Sequence, residues 1–383
     1  MTQSYKPLVL FLNKCASFLL QTSLTDATIG NMNEKFRTLY GSIWLCDSLN
    51  FMREKVQDDS VDLIMTSPPF ALLRKKDYGN VEEDRYVAWF KDFGREFYRI
   101  LKPSGSLVID IGGSWIPGQP TRSLYHFELL VMLCREMRFH LAQEFYWWNP
   151  AKLPTPAEWV NVRRVRVKDA VNCVFWLSKT PYPKASNRRV LTPYSNSMKE
   201  LLKNGYKAKL RPSGHDISEK FSKDNDAAIP PNLIAIPNTE SNSAYLRYCR
   251  EHDINPHPAR FPSRLPEFFV RMLTDVGDFV FDPFAGSCVT GEVCERLQRN
   301  WICCEIDETY IQGAVGRFMP SEGKAYKKSD AESYTIFSPS SRWNGIEPNH
   351  DRLPQDGGRT RPVSKETLRD DLTSNSTENK EEK

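Results

Sequence analysis

Five short apolar runs, each stopped by an acid or a turn, limit the folds open to this chain more than any other feature. They are Ser42–Asp47, Val61–Met65, Leu107–Ile111, Asp278–Phe281 and Trp301–Glu305. Each is too short for a buried helix and the right length for a strand covered on both faces. Helical spacing follows or separates them. A helix-like stretch runs to Val56, and Tyr86, Trp89, Phe90, Phe93, Phe97 and Ile100 share one face of 84–100. Leu265–Leu273 and Gly291–Leu297 read as two more helices. Strand and helix in alternation predict an α/β doubly wound, mostly parallel sheet.

The rhythm breaks between the third and fourth runs. The resulting division is an N-terminal arm (1–36), a first α/β half (37–118), an inserted region rich in aromatics, Pro and basic residues (119–256), a second α/β half (257–319) and a polar tail (320–383) that reads as flexible. Tyr146, Trp147, Trp148 and Trp159 in the insert read as core. Val162–Lys168 alternates like a strand, with Arg164, Arg166 and Lys168 on one face.

Charge locates the partner better than its total does. The net charge is only +4, but 181–221 carries nine Lys or Arg against three acids, Arg188 and Arg189 among them. A basic patch on a near-neutral body suits docking on phosphate, so Arg164, Arg166, Lys168, Arg188 and Arg189 are the candidate phosphate contacts. The nine cysteines show no paired metal-ligand spacing, and no metal is expected. Cys303 and Cys304 read as buried thiols of a reducing compartment. Leu8–Leu20 is interrupted by Asn13 and Lys14 and lacks a cleavage site. The expectation is a cytoplasmic chain with neither leader nor membrane partner.

Two strand ends carry the chemistry. Asp282-Pro283-Phe284-Ala285-Gly286-Ser287 joins a strand to a helix, where glycine admits a ligand close to the backbone and the helix start offers free N–H groups. Asp282 suits a ligand ammonium group. Glu305, about twenty residues on, has the spacing of a ribose-binding carboxylate. Thr66-Ser67-Pro68-Pro69-Phe70 follows another strand. The Ser67 hydroxyl and the Pro68 carbonyl, presented rigidly by Pro68 and Pro69, are two acceptors able to hold both hydrogens of an exocyclic amino group. Phe70 offers a face for a base rotated out of a duplex. Asp110 ends the next strand, where it can orient Ser67 or take the released proton. Asp47 ends the first run, on the adenine side of a bound nucleoside.

These motifs resemble those of the permuted (β-type) amino-methylating DNA methyltransferases. The loop from Asp282 is similar to that family's DPF-x-G-S-G-T-T-G, with Cys288 and Val289 where Gly and Thr are usual. His257–Pro262 is similar to the segment that covers the methionine end of the cofactor, which implies roles for His257 and Phe261. The likeness spans Tyr40 to Phe318 and includes Lys152–Pro154, Glu158–Asn161, Arg166–Ala170, Arg211–Ile217 and Pro230–Leu233. It implies S-adenosylmethionine as cofactor, double-stranded DNA as substrate, a cognate restriction endonuclease as genetic partner and a monomer. Ser67, where adenine-specific members carry Asp or Asn, favours N4 of cytosine. The rival readings are an N6-adenine enzyme of the same fold and a catalytically silent DNA binder. Enzymes acting on protein or RNA amino groups carry Asn-Pro-Pro-Tyr after the cofactor loop, an order this chain lacks.

Overall fold

The computed structural model describes residues 32–71, 82–205, 223–238 and 244–319. All belong to one unit of the chain, Met1–Phe337. Most of the N-terminal arm, the polar tail, the Arg211–Ile217 motif and the later part of the basic segment lie outside the described residues.

Nine strands form one sheet in the order β1-β2-β9-β8-β3-β4-β6-β5-β7. The strands are β1 (Asn33–Arg37), β2 (Gly41–Leu45), β3 (Val61–Thr66), β4 (Leu101–Ile111), β5 (His140–Trp148), β6 (Val171–Ser178), β7 (Leu233–Ala235), β8 (Phe279–Asp282) and β9 (Asn300–Glu305). The five central strands, β2 to β4, run parallel. β1 pairs antiparallel at one edge, and β6 pairs antiparallel with both β4 and β5. The five apolar runs are these five central strands.

Alternate residues of each strand feed different cores. Phe281, Ile64 and Cys304 point to a layer made by α1 (Ser48–Lys55), α2 (Glu83–Ile100) and α3 (Tyr125–Arg135). Val280, Leu63 and Cys303 point to the opposite layer, made by α6 (Arg264–Leu273), α7 (Val289–Arg296) and α8 (Glu308–Val315). Adjacent Cys303 and Cys304 are both buried, one in each layer, because successive strand side chains face opposite ways. The remaining helices are α4 (Asn196–Asn204) and α5 (Ala244–Glu251).

Three expectations for the insert change. First, β5, β6 and β7 belong to 119–256 yet complete the main sheet, with α3 packed on it, so the described parts of the insert outside it include 149–170, 179–205 and 223–232. Second, β5 has period two near a sheet edge. Trp147 is buried, while Tyr146 and Trp148 on the other face are exposed and are not core. Third, Val162–Lys168 is not a strand. A π-helical turn, Glu158–Val162, occupies its start, and the amides of Val165 and Arg166 bond back to the Trp159 carbonyl at 2.9 and 3.2 Å. With the amides of Arg163, Val165 and Arg166 satisfied locally and no strand paired to it among the described residues, the segment has no ladder to join.

Candidate active site

β8 and β3 are parallel neighbours whose connections leave in opposite directions. β8 passes through α7 to β9 on one side, and β3 through α2 to β4 on the other. Such a switch point opens a crevice at the carboxyl ends of the strands. Here it is a cleft of about 510 Å³. One wall carries Asp47, Glu305, Pro283, Phe284, Gly286, Ser287, His257 and Phe261. The other carries Ser67, Pro68, Pro69, Phe70, Asp110, Lys152 and Asn172.

The loop after β8 is held from beneath. Asp282 is buried, and its carboxylate accepts from Thr66 Oγ1 (2.8 Å), Thr290 Oγ1 (2.6 Å) and the Phe284 amide (3.1 Å). Both oxygens are engaged from within the fold, and Asp282 is not among the residues that line the cleft. It staples β3, the loop and α7 together. Burial pushes its pKa up to about 6, against the pull of these donors. Gly286 takes φ +51°, and a Cβ there would stand 3.0 Å from the His257 ring. Cys288 also sits in the left-handed region at φ 56°, which costs an L-residue about 1–2 kcal/mol. Arg317 closes the loop from α8's end, donating to the Ser287 carbonyl at 2.6 Å and hydroxyl at 3.0 Å. Glu305 Oε2 accepts from the Gly286 amide at 2.7 Å, and Oε1 accepts from Ile306 and Asp307 at 2.9 and 3.0 Å. Phe284 packs at a tilt of 47° against both Trp89 and Phe93, ring centroids 6.0 and 5.0 Å away. Asp47 caps α1 by accepting from the Asn50 amide at 2.9 Å while lining the cleft.

Across the cleft, β3 and β4 deliver the polar corner. Ser67 Oγ donates to Asp110 Oδ2 at 3.2 Å, and Asn172 Nδ2 donates to Asp110 Oδ1 at 3.2 Å. Burial raises the Asp110 pKa to about 6, opposed by these two donors and by the charge of Lys152. Desolvation in turn pulls the Lys152 pKa down. Phe70 lies over Gly112, where a Cβ would come within 2.6 Å of its ring. The sequence reading placed Ser67, Phe70 and Asp110 together, and they are together. It missed Asn172 and the part played by Lys152. An amide at the start of a strand carries no motif, and only the antiparallel pairing of β6 with β4 brings Asn172 to Asp110.

The basic candidates separate. Arg166 turns inward to Asp169 at 3.1 Å, and Lys168 Nζ donates to the carbonyls of Lys152 (3.1 Å) and Pro150 (3.3 Å). Arg164, at φ 55°, stays exposed. The three therefore share no face. Arg189 is tied to Asp275 at 2.5 Å and to the Thr274 carbonyl at 2.6 Å, beneath α6 rather than at the cleft, while Arg188 is exposed beside it. Among the described residues no group of three or more His, Cys, Asp or Glu is placed to hold a metal, and no helix is long and apolar enough to cross a membrane.

A glycine loop and a strand-end acid on one wall, facing an amino-accepting polar corner on the other, define an α/β group-transfer enzyme that sets a nucleoside cofactor beside an amino group. Residues 61–316 match the family model described as DNA methylase, and the chain belongs to that family. It is 48% identical over 314 residues to the type II methyltransferase M.PvuII of Proteus hauseri, covering 81% of this chain and 93% of that protein. The type II methyltransferase M.BglII of Bacillus subtilis is 27% identical over 272 residues, covering 69% of this chain and 65% of that protein. Among solved structures, the PvuII DNA methyltransferase (cytosine-N4-specific) superposes with a TM-score of 0.63 at 43% identity, over 79% of this chain and 95% of that one. The chain is accordingly a DNA methyltransferase.

Proposed function

We propose that this enzyme methylates N4 of cytosine within a short duplex sequence, using S-adenosylmethionine, as the modification half of a restriction-modification pair. The Ser67–Asp110–Asn172 chain on the cleft wall opposite the Gly286 loop carries the reading. The loop fits the cofactor. Gly286 leaves open the space a Cβ would fill, Glu305 and Asp47 stand at the neighbouring strand ends for ribose and adenine, and Phe284 offers an apolar face. When bound, the cofactor supplies a methyl group on a sulfonium.

The chain's residues do the rest. Cytosine N4 is a poor nucleophile because its lone pair is delocalised into the ring. The Ser67 hydroxyl oxygen and the Pro68 carbonyl accept its two hydrogens and favour tetrahedral nitrogen. Asp110 accepts from Ser67, orients its lone pairs and, with a pKa near 6, can take the released proton. Phe70 stacks on the flipped base. Positioning supplies most of the acceleration. The strand bearing the cofactor loop follows the clamp strand in the chain but lies beside it in the sheet, which supports the permuted order. Target reading falls to the parts of 119–256 outside the sheet. We also infer a cytoplasmic monomer with a cognate endonuclease. In a methylation-free bacterial host, expression should leave N4-methylcytosine at one short motif, read by nucleoside mass spectrometry and single-molecule sequencing. N6-methyladenine would overturn the base assignment, and no modified base from soluble protein would favour a silent DNA binder.

A further inference from the structure

Residues 150–169 leave the sheet between β5 and β6 as a finger whose neck is the cleft rim. Asn149 and Lys152 line the cleft where the chain goes out, and Ala170 and Asn172 line it where the chain returns. The neck is closed by main-chain bonds, Asn149 N to Ala170 O at 2.9 Å and Asp169 N to Thr155 O at 3.0 Å, and by Lys168 Nζ on the carbonyls of Lys152 and Pro150. Asn161 Nδ2 adds a strut to the Pro154 carbonyl at 3.1 Å. The finger is therefore braced, yet it holds large apolar side chains in solvent: Leu153 is 75% exposed, Val162 70%, Val165 62% and Val167 85%. Around them stand Arg164, with no ion-pair partner among the described residues, and Arg163, paired with Glu158 at 2.7 Å and stacked over Trp159.

We infer that the exposed valines on the returning side of this finger, Val165 and Val167 beside Arg164, form a wedge that enters the duplex where the target base leaves it. The inference rests on the base-flipping reading above. A flipped base vacates apolar stacking surface inside a phosphate-lined groove. Its complement is a braced apolar surface with a cation beside it, on a segment rooted in the rim of the pocket that takes the base. A protein partner would require no cation beside the valines and no continuity with the cleft. Duplex DNA requires both.

The test uses the full chain with Val165→Ser/Val167→Ser on two duplexes, one fully paired and one with an abasic site opposite the target. A parallel pair carries 2-aminopurine at the target, so that flipping is read without methylation. The double variant should lose roughly tenfold or more in kcat/KM on the paired duplex and less than about threefold on the abasic one, with its 2-aminopurine rise reduced only on paired DNA. Arg164→Ala should weaken both duplexes alike, as a phosphate contact does. Cofactor affinity and melting temperature close to those of the parent show that the fold is kept. Equal losses on both duplexes, or none on either, would overturn the wedge. A parent protein that methylates adenine changes the base assignment and leaves the wedge standing. One that neither methylates nor flips any base removes both.

Discussion

Ser67 and Asp110 show how little chemistry a single residue needs once its neighbours hold it still. Ser67→Ala removes one of the two acceptors proposed for the amino hydrogens without touching the opposite wall of the cleft. It should lower kcat by ~100-fold or more, while calorimetry finds cofactor affinity within about twofold of the parent. The Asp110 carboxyl, pushed up to about 6, must be ionised to take the released proton. Methylation should therefore fall as pH drops through about 6. Asp110→Asn should abolish that acid limb along with most of the rate. Because the Asn172 amide lowers the Asp110 pKa, Asn172→Leu should move the limb to higher pH, and a pH profile of kcat/KM that stays in place would refute the positioning role of Asn172. The same numbers bear on stability. Asp110 and Asp282 both have folded pKa values near 6 against an ordinary 3.8. Their contribution favours the fold most below 3.8 and is lost as pH rises through about 6.

At the scale of the element, the β8–α7 turn is the joint on which the cofactor wall depends. Asp282 binds it to β3 through Thr66 and to α7 through Thr290, so the two walls of the cleft share a buried carboxylate. Thr290→Val keeps the shape and leaves Oδ2 of that carboxylate without its donor. A loss of about 1–3 kcal/mol in stability is expected, with cofactor affinity falling alongside because the loop loosens. Denaturant titration and calorimetry check both, and an unchanged affinity would show that the loop does not need the staple. Gly286 is the narrower constraint. Its positive φ and the His257 ring 3.0 Å from a would-be Cβ leave no room for a side chain. Gly286→Ala should weaken cofactor binding more than it weakens the fold.

The whole molecule folds around one sheet in which the loop strand β8 lies between β9 and β3. Neither half owns a separate sheet, so the described residues should unfold in one cooperative transition by calorimetry despite their distance along the chain. Cofactor at about 100 times its Kd should raise stability by roughly 2.7 kcal/mol. A second, cofactor-insensitive transition would show that the two halves fold independently. DNA affinity should fall steeply with salt, since the contacts that position a duplex are made with phosphate.

Much of this was legible in the chain alone. The five buried strands, the loop at Asp282, the acid at Glu305 and the clamp at Ser67 declare themselves because each rests on local physics: apolar runs, turn residues and strand-end spacing. What the tertiary structure decided is long-range. It set Asn172 against Asp110 across an antiparallel pair and turned the Asp282 carboxylate into the interior, onto Thr66 and Thr290. It also coiled Val162–Lys168 onto Trp159, leaving valines in solvent where alternation alone predicted a strand. Each of these depends on which distant segment supplies a hydrogen-bond partner, and spacing along one chain does not carry that information.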